Sequence, residues 1–409
     1  MQVYLLIILL PLFAADIIIF FELRKLKNQT RKILLSMHLI FVALTVIALL
    51  YALQSFSKAQ NGKELLNVGW VLYFFILFYI PKLVFMVFWA LDVLVGTVKQ
   101  AFAPKQRMAD KGRRRFIAKA GVLAAFANFG LIASGALHER FNFKIQKVSV
   151  PIPNLPERFR GFKIVQISDV HLGTFGENYE DIARAVELIN DEQADIVVHT
   201  GDMVNTFASE ISNEWCEVFR KIKAKRGVYA VLGNHDYGHY ANWDNKAQEE
   251  KNFQDIVDGY GKCGFQLLRN ESVIFERGQD KLALLGIDNW GKAHGFDQEG
   301  NIEDALEGVP NAINKILLSH NPDFWEYNIK ENNTMNIDLT LSGHTHGMQS
   351  GVNFFGKTYS LSRFIYKYWK GLYTYNDKHL YVNVGLGCVG IPLRSGMPPE
   401  ITVITIHLK

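Results

Sequence analysis

Cysteine is scarce in this chain of 409 residues, which has only Cys216, Cys263 and Cys388. They are scattered, odd in number and without Cys-x-x-Cys spacing. That excludes a zinc ribbon and indicates no disulfide framework, so all three are expected to be buried packing residues. Cys388 stands apart only because it lies in a glycine-rich turn, Gly385-Leu386-Gly387-Cys388-Val389-Gly390. Dense cationic clusters are also lacking beyond residue 143, where 27 Lys and Arg face 34 Asp and Glu. Phosphate-backbone binding needs clustered positive charge, so no nucleic-acid partner is expected.

The first 143 residues have the opposite balance, 17 Lys and Arg against 6 Asp and Glu, and they hold the long apolar runs. Runs over 3–21, 33–53 and 68–96, and a weaker Ala- and Gly-rich one over 116–137, are each near or above the ~20 residues that span a bilayer as a helix. The expectation is an all-α transmembrane anchor of about four helices over 1–143, followed by a separate domain over 144–409. Arg24, Lys25, Lys27, Arg31 and Lys32 crowd the first connection, and Lys99, Lys105, Arg107, Lys111, Arg113, Arg114, Arg115 and Lys119 the third. The second connection, Ser55 to Asn67, holds only Lys58, Lys63 and Glu64. The positive-inside rule then makes connections one and three cytoplasmic. The protein is expected as a multi-pass component of the cytoplasmic membrane, with its second half on the extracytoplasmic side.

The segment Arg113-Arg114-Arg115-Phe116-Ile117-Ala118-Lys119, followed by an apolar run, resembles a twin-arginine export signal displaced from the N-terminus; a plain basic anchor before a span reads the same residues. Asp16 and Lys82 lie inside expected spans that run in the same direction, so the two charges fall at similar depth and are expected to pair.

After Phe141 the pattern changes to short apolar runs that stop on polar turns. Phe162 to Ile167 stops at Ser168-Asp169-Val170-His171, Asp195 to His199 at Thr200-Gly201-Asp202, and Gly227 to Leu232 at Gly233-Asn234-His235-Asp236. Lys315 to Leu318 stops at Ser319-His320, and Ile337 to Leu341 at Ser342-Gly343-His344-Thr345-His346. Segments with helical spacing lie between several of these strands, the rhythm of a layered α/β domain. Ligands gather beyond the carboxyl ends of strands in such sheets, so the five turns are expected to converge on one crevice.

The ordered set Asp-x-His, Gly-Asp, Gly-Asn-His-Asp, His, Gly-His-x-His resembles the signature of the calcineurin-like metallophosphoesterases. A tail from Pro392 to Ile401 adds a likeness to its bacterial membrane-associated phosphodiesterase branch. The resemblance implies a two-sheet β-sandwich flanked by helices and two divalent metal ions, with Mn, Fe, Zn or Co equally compatible with mixed His, Asp and Asn ligation. Asp169, His171, Asp202 and His346 are then expected on one metal, and Asp202, Asn234, His320 and His344 on the other, Asp202 bridging. His235 is expected over the phosphate, with Asp236 holding its ring. The implied reaction is hydrolysis of a phosphodiester, such as a phospholipid or envelope headgroup, by attack of metal-bound hydroxide. A phosphomonoesterase or pyrophosphatase of the same fold, or a non-catalytic metal-binding sensor or scaffold, is the alternative.

Two features bear on substrate. Phe354-Phe355 and the stretch Phe364 to Tyr373, aromatics interleaved with Lys367 and Lys370, suit a membrane-interface belt or a lipid-facing groove; ordinary strands read the same residues. Arg394 is a candidate contact for the substrate phosphate, or a surface arginine.

Overall fold

The structure, a computed structural model, describes residues 2–24, 28–102, 111–292, 298–355 and 357–409. Lys25, Lys27, Lys105 and Arg107 of the basic connections lie outside the described residues. The chain divides into two compact units.

The first unit comprises Met1–Ser55 and Trp70–Gly135. It is built from helices α1 (Gln2–Arg24), α2 (Asn28–Phe56), α3 (Gly62–Phe102) and α4 (Lys111–Leu137). Three stretches, Arg31–Phe56, Gly62–Phe102 and Gly112–Phe141, are long and apolar enough to cross a membrane. Their apolar side chains face outward, as Ile40, Ile47, Leu94 and Leu123 do, which suits a hydrocarbon solvent rather than water. Inside this unit the buried Asp16 carboxylate accepts hydrogen bonds from Lys82 Nζ at 2.8 Å and from the Tyr79 hydroxyl at 2.8 Å. The Lys82 ammonium also lies 4.4 Å from the centre of the Phe41 ring. An ion in hydrocarbon is costly unless paired, and here the expected pair forms.

The second unit comprises Phe56–Gly69 and Ala136–Lys409. Its strands are β1 (Lys144–Ile152), β2 (Lys163–Ile167), β3 (Ile196–His199), β4 (Val228–Ala230), β5 (Gln266–Leu267), β6 (Glu271–Arg277), β7 (Asp280–Gly286), β8 (Asn314–Leu318), β9 (Ile337–Ser342), β10 (Val352–Phe354), β11 (Lys357–Tyr359), β12 (Gly371–Tyr375), β13 (Lys378–Val382) and β14 (Glu400–Leu408). They form two six-stranded sheets, ordered β1-β14-β2-β3-β4-β5 and β12-β13-β9-β8-β7-β6, plus the hairpin β10-β11. Strands β2, β3, β4 and β5 run parallel, as do β7, β8, β9 and β13, so in each sheet several carboxyl ends point the same way.

Apolar side chains on both faces explain the layers. Ile164, Ile196, Val198 and Val231 pack against Leu284, Ile316, Leu339 and Tyr381 between the sheets. The alternate residues Val165, Ile167 and Val197 face helices α5 (Tyr179–Asp191), α6 (Asn213–Phe219) and α7 (Lys246–Lys262) through Ile182, Val186, Trp215, Phe219 and Ile256. The period of two along each strand thus places one sheet face against its partner sheet and the other against helices.

The cysteines require a correction. Cys216 on α6 and Cys263 at the end of α7 form a disulfide, and Cys388 alone is free and buried. The two partners are 47 residues apart in sequence, and only the packing of α6 on α7 brings them together.

The connection between α2 and α3 and the first turns of α3 lie against the sheet-bearing part of this unit. Asn242 Nδ2 donates to Ser57 O at 2.7 Å. A Cβ at Gly62 would meet Glu210 Cγ at 2.4 Å, and one at Gly69 would meet Gly390 O at 2.3 Å. The close approaches need glycine at both positions.

Candidate metal centre

The five polar turns converge. Asp169 and His171 follow β2, Asp202 follows β3, Asn234 to Asp236 follow β4, His320 follows β8, and His344 and His346 follow β9. Left-handed backbone makes the turns sharp enough to aim successive side chains inward. Asp169, His171, Asp202, His344 and His346 have φ between 48° and 71°, a conformation that costs roughly 1–3 kcal/mol per non-glycine residue and concentrates at functional sites. Gly233 and Gly343 supply the clearance, since a Cβ would meet Asp202 Oδ1 at 2.2 Å and Ser168 Oγ at 1.9 Å respectively.

Ligand atoms of Asp169, His171, Asp202 and His346 all lie within 4.8 Å of one another, and all four residues are buried. His171 Nε2 stands 3.0 Å from His346 Nε2, and His346 Nε2 stands 3.2 Å from Asp169 Oδ1. A second group adjoins it. His320 Nε2 is 3.2 Å from Asp202 Oδ2 and 3.1 Å from Asn234 Oδ1, while His344 Nδ1 is 2.8 Å from the same Asn234 oxygen. Asp202 belongs to both groups, because its Oδ2 also lies 3.6 Å from His171 Nε2. Its other oxygen is fixed by the backbone N–H of His235 at 2.8 Å. Backbone N–H of His344 donates to both Asp169 oxygens, at 3.0 and 3.1 Å.

These donors fit divalent cations. Imidazole nitrogens turned on one another and on carboxylate and amide oxygens, with no thiolate present, form the mixed donor set that first-row cations take. The electrostatics agree. Burial would raise both carboxyls, yet the imidazoles of His346 and His320 hold Asp169 below the usual carboxylate range, and His320 and His235 hold Asp202 there. Burial would lower His320, but the Asp202 charge lifts it to about 9. Burial, with His320 beside it, takes His344 down to about 3. A proton shared by His320 and Asp202 thus satisfies part of the negative charge that the site concentrates.

The His235 ring is half-buried, stacks on Tyr240 with centroids 4.3 Å apart, and lies 4.8 Å from the His171 ring. Its Nδ1 faces the Asn205 carbonyl at 2.7 Å. A carbonyl only accepts, so Nδ1 carries the hydrogen, and the exchangeable proton belongs to Nε2.

Asp236 has a different place from the expected one. Its carboxylate accepts from the backbone N–H of Asp202, Met203 and Gly233, each at 2.9 Å, and from the Tyr260 hydroxyl at 2.8 Å. None of its hydrogen bonds goes to the His235 ring. Asp236 pins the Gly-Asp turn to the Gly-Asn-His-Asp turn, and burial together with the Asp202 charge raises its carboxyl to about 6.

Arg394 also departs from expectation. Its side chain is fully buried, with Nε donating to Gly387 O at 2.8 Å, Nη1 to Met397 O at 3.1 Å, and Nη2 to Val384 O at 2.9 Å and Gly385 O at 3.1 Å. The loop it braces donates in turn to the ligand turn, Leu386 N to Ser168 O at 2.8 Å and Gly387 N to Asp169 O at 2.9 Å. Arg394 holds that turn from behind, its guanidinium turned on backbone carbonyls.

Three further residues serve the site without having been singled out in the sequence. Asn205 acts through a backbone carbonyl, which leaves no trace in residue type. Glu210 is buried and fixes Asn205, accepting from its N–H at 2.7 Å and its Nδ2 at 2.9 Å. Tyr240 accepts from Asn234 Nδ2 at 2.7 Å, and its place six residues after Asn234 was the available signal.

Comparisons with known proteins point to one family. Residues 162–348 match the calcineurin-like phosphoesterase family, and residues 1–140 match the transmembrane domain of probable calcineurin-like phosphoesterases. The metallophosphoesterase YkuE of Bacillus subtilis is 30% identical over 307 residues, 73% of this chain and 99% of that protein. A transmembrane protein with metallophosphoesterase domain from Danio rerio is 29% identical over 344 residues, 80% of this chain and 71% of that one. A metallophosphoesterase from Aquifex aeolicus is 30% identical over 66% of this chain and 94% of its own length. The chain belongs to the calcineurin-like metallophosphoesterases, with a membrane-associated helical domain ahead of the catalytic one.

Proposed function

We propose that this protein hydrolyses a phosphodiester, with a phospholipid or envelope headgroup as the substrate class, on the extracytoplasmic face of the cytoplasmic membrane. The observation that carries the reading is the position of Asp202 Oδ2, within reach of both His171 and His320 and so of two adjacent donor groups. Asp169, His171, Asp202 and His346 would hold one divalent cation, and Asp202, Asn234, His320 and His344 a second. Such a pair supplies Lewis acidity for the phosphoryl oxygens and lowers the pKa of an attacking water.

The protein's own residues do the rest. Asn205 O keeps the His235 proton on Nδ1, so Nε2 exchanges a proton with the leaving oxygen and stabilises charge as it develops there. Tyr240 stacks against the ring and limits its rotation. With added Mn, the parent is expected to hydrolyse bis-p-nitrophenyl phosphate, and His235→Ala to lower kcat by about 10²–10⁴-fold while leaving metal content unchanged. A variant as active as the parent, or a parent active only on monoesters, would overturn the assignment.

Two observations support the extracytoplasmic placement. The Cys216–Cys263 disulfide suits an oxidising compartment. Phe56–Gly69, the connection with few basic residues, belongs to the same compact unit as the sheets, and so to the same side of the bilayer. Protease added to intact cells is expected to cleave the second unit; cleavage only after lysis would reverse the topology.

A further inference from the structure

The hairpin β10-β11 stands apart from both six-stranded sheets, and with the turn that follows it carries a group of large apolar side chains in water. Val352 is 66% exposed, Phe354 60%, Phe355 89%, Leu361 69%, Phe364 80% and Ile365 64%. Phe354 and Phe355 pack edge to face on each other, with ring centroids 4.4 Å apart. Monomeric proteins rarely expose contiguous apolar groups of this kind without an interaction partner.

Charge indicates what that partner is. The second half of the chain is acidic overall, yet residues 339–376 contain no Asp or Glu and carry Lys357, Arg363, Lys367 and Lys370, of which Lys367 pairs with Glu326. Exposed phenylalanines in an acid-free basic stretch complement an anionic lipid surface, where apolar insertion and electrostatic attraction add. Six residues separate the end of α4 at Leu137 from the start of β1 at Lys144, a length that reaches at most ~20 Å when extended, so the domain is held within reach of a bilayer.

The root of this element is the metal centre itself. The Tyr366 ring lies 5.6 Å from that of His344, Thr345 Oγ1 donates to Trp369 O at 2.7 Å, and Ser360 Oγ donates to Gly347 O at 2.7 Å. A surface that engages the hairpin is therefore continuous with the mouth of the site.

We propose that residues 352–355 and 357–365 form a bilayer-docking element, in which Phe354, Phe355 and Phe364 insert at the interface of an anionic membrane and bring lipid headgroups to the His344–His346 turn. The delivery of substrate rests on the phosphodiesterase reading above; the docking does not.

The test uses the full chain in vesicles of phosphatidylglycerol and phosphatidylcholine. A nitrobenzoxadiazole label on Phe355→Cys is expected to emit to the blue of the same label on the exposed Lys223→Cys, and to be quenched about twofold more when the acyl chains are brominated. Equal quenching at both positions overturns docking, as does a blue shift without bromine quenching, which marks contact with protein. In parallel, the triple change of Phe354, Phe355 and Phe364 to Ser is expected to slow hydrolysis of vesicle phosphatidylglycerol about tenfold, leaving soluble bis-p-nitrophenyl phosphate hydrolysis unchanged. Equal loss on both substrates, or loss on neither, overturns delivery. A parent inactive on both refutes the phosphodiesterase reading, and the quenching result still decides docking.

Discussion

Asp202→Asn is expected to lower diester hydrolysis by more than ~10²-fold, beyond the ~10–100-fold that follows loss of a group behind a metal ligand. The change is nearly isosteric, so its effect is chemical. Asp202 Oδ1 accepts from His235 N–H, and Oδ2 faces His171 and His320. An amide has one oxygen: it can keep the backbone bond or face the imidazoles, but it cannot do both, and its NH₂ repels a cation. Both donor groups are impaired at once. Metal content measured with activity should fall, and the metal-free protein should unfold below the parent's temperature, because the buried His320 imidazole loses the carboxylate that pairs with it. Parental activity, or full metal content with activity lost, would reject the bridging assignment.

Arg394→Met is expected to destabilise the second unit by about 4 kcal/mol or more, outside the usual ~0.5–3 kcal/mol of point changes. Four buried carbonyls, of Val384, Gly385, Gly387 and Met397, lose their donor together. Each unpaired buried polar group costs ~1–3 kcal/mol, partly relieved by relaxation. Thermal unfolding in detergent checks the loss of stability. A substrate-binding arginine would give the opposite pattern, a raised KM with an unchanged melting temperature, and that result would restore the phosphate-contact role.

What the sequence made legible followed from short-range regularities. Alternation along strands and abrupt polar stops located the turns that hold Asp169, Asp202, Asn234, His320 and His344, because a parallel sheet has only one end at which such stops can gather. Hydropathy located the long helices, and similar depth in parallel spans brought out the Asp16–Lys82 pair. The errors arose where long-range packing or the backbone acts. Asp236 beside His235 looked like an orienting carboxylate, but neighbouring residues in the tight turn Asn234–Tyr237 aim differently, and the ring is oriented by a carbonyl of Asn205. Arg394 looked like a phosphate ligand because guanidinium binds anions; here it faces four carbonyls gathered by a glycine-rich loop. Cys216 and Cys263 become neighbours only through the packing of two helices.

Placement of Phe56–Gly69 within the sheet-bearing unit has a consequence for biosynthesis. That segment is made before any strand of the unit and is tethered at both ends by α2 and α3, so the later residues must close around a piece already fixed in place. A fragment beginning at residue 144 would lack the wall that Gly62 forms against Glu210, the residue that fixes Asn205 and, through its carbonyl, His235. The segment Phe56–Gly69 thereby serves the second unit as a wall, and a fragment without it would hold the His235 ring less firmly.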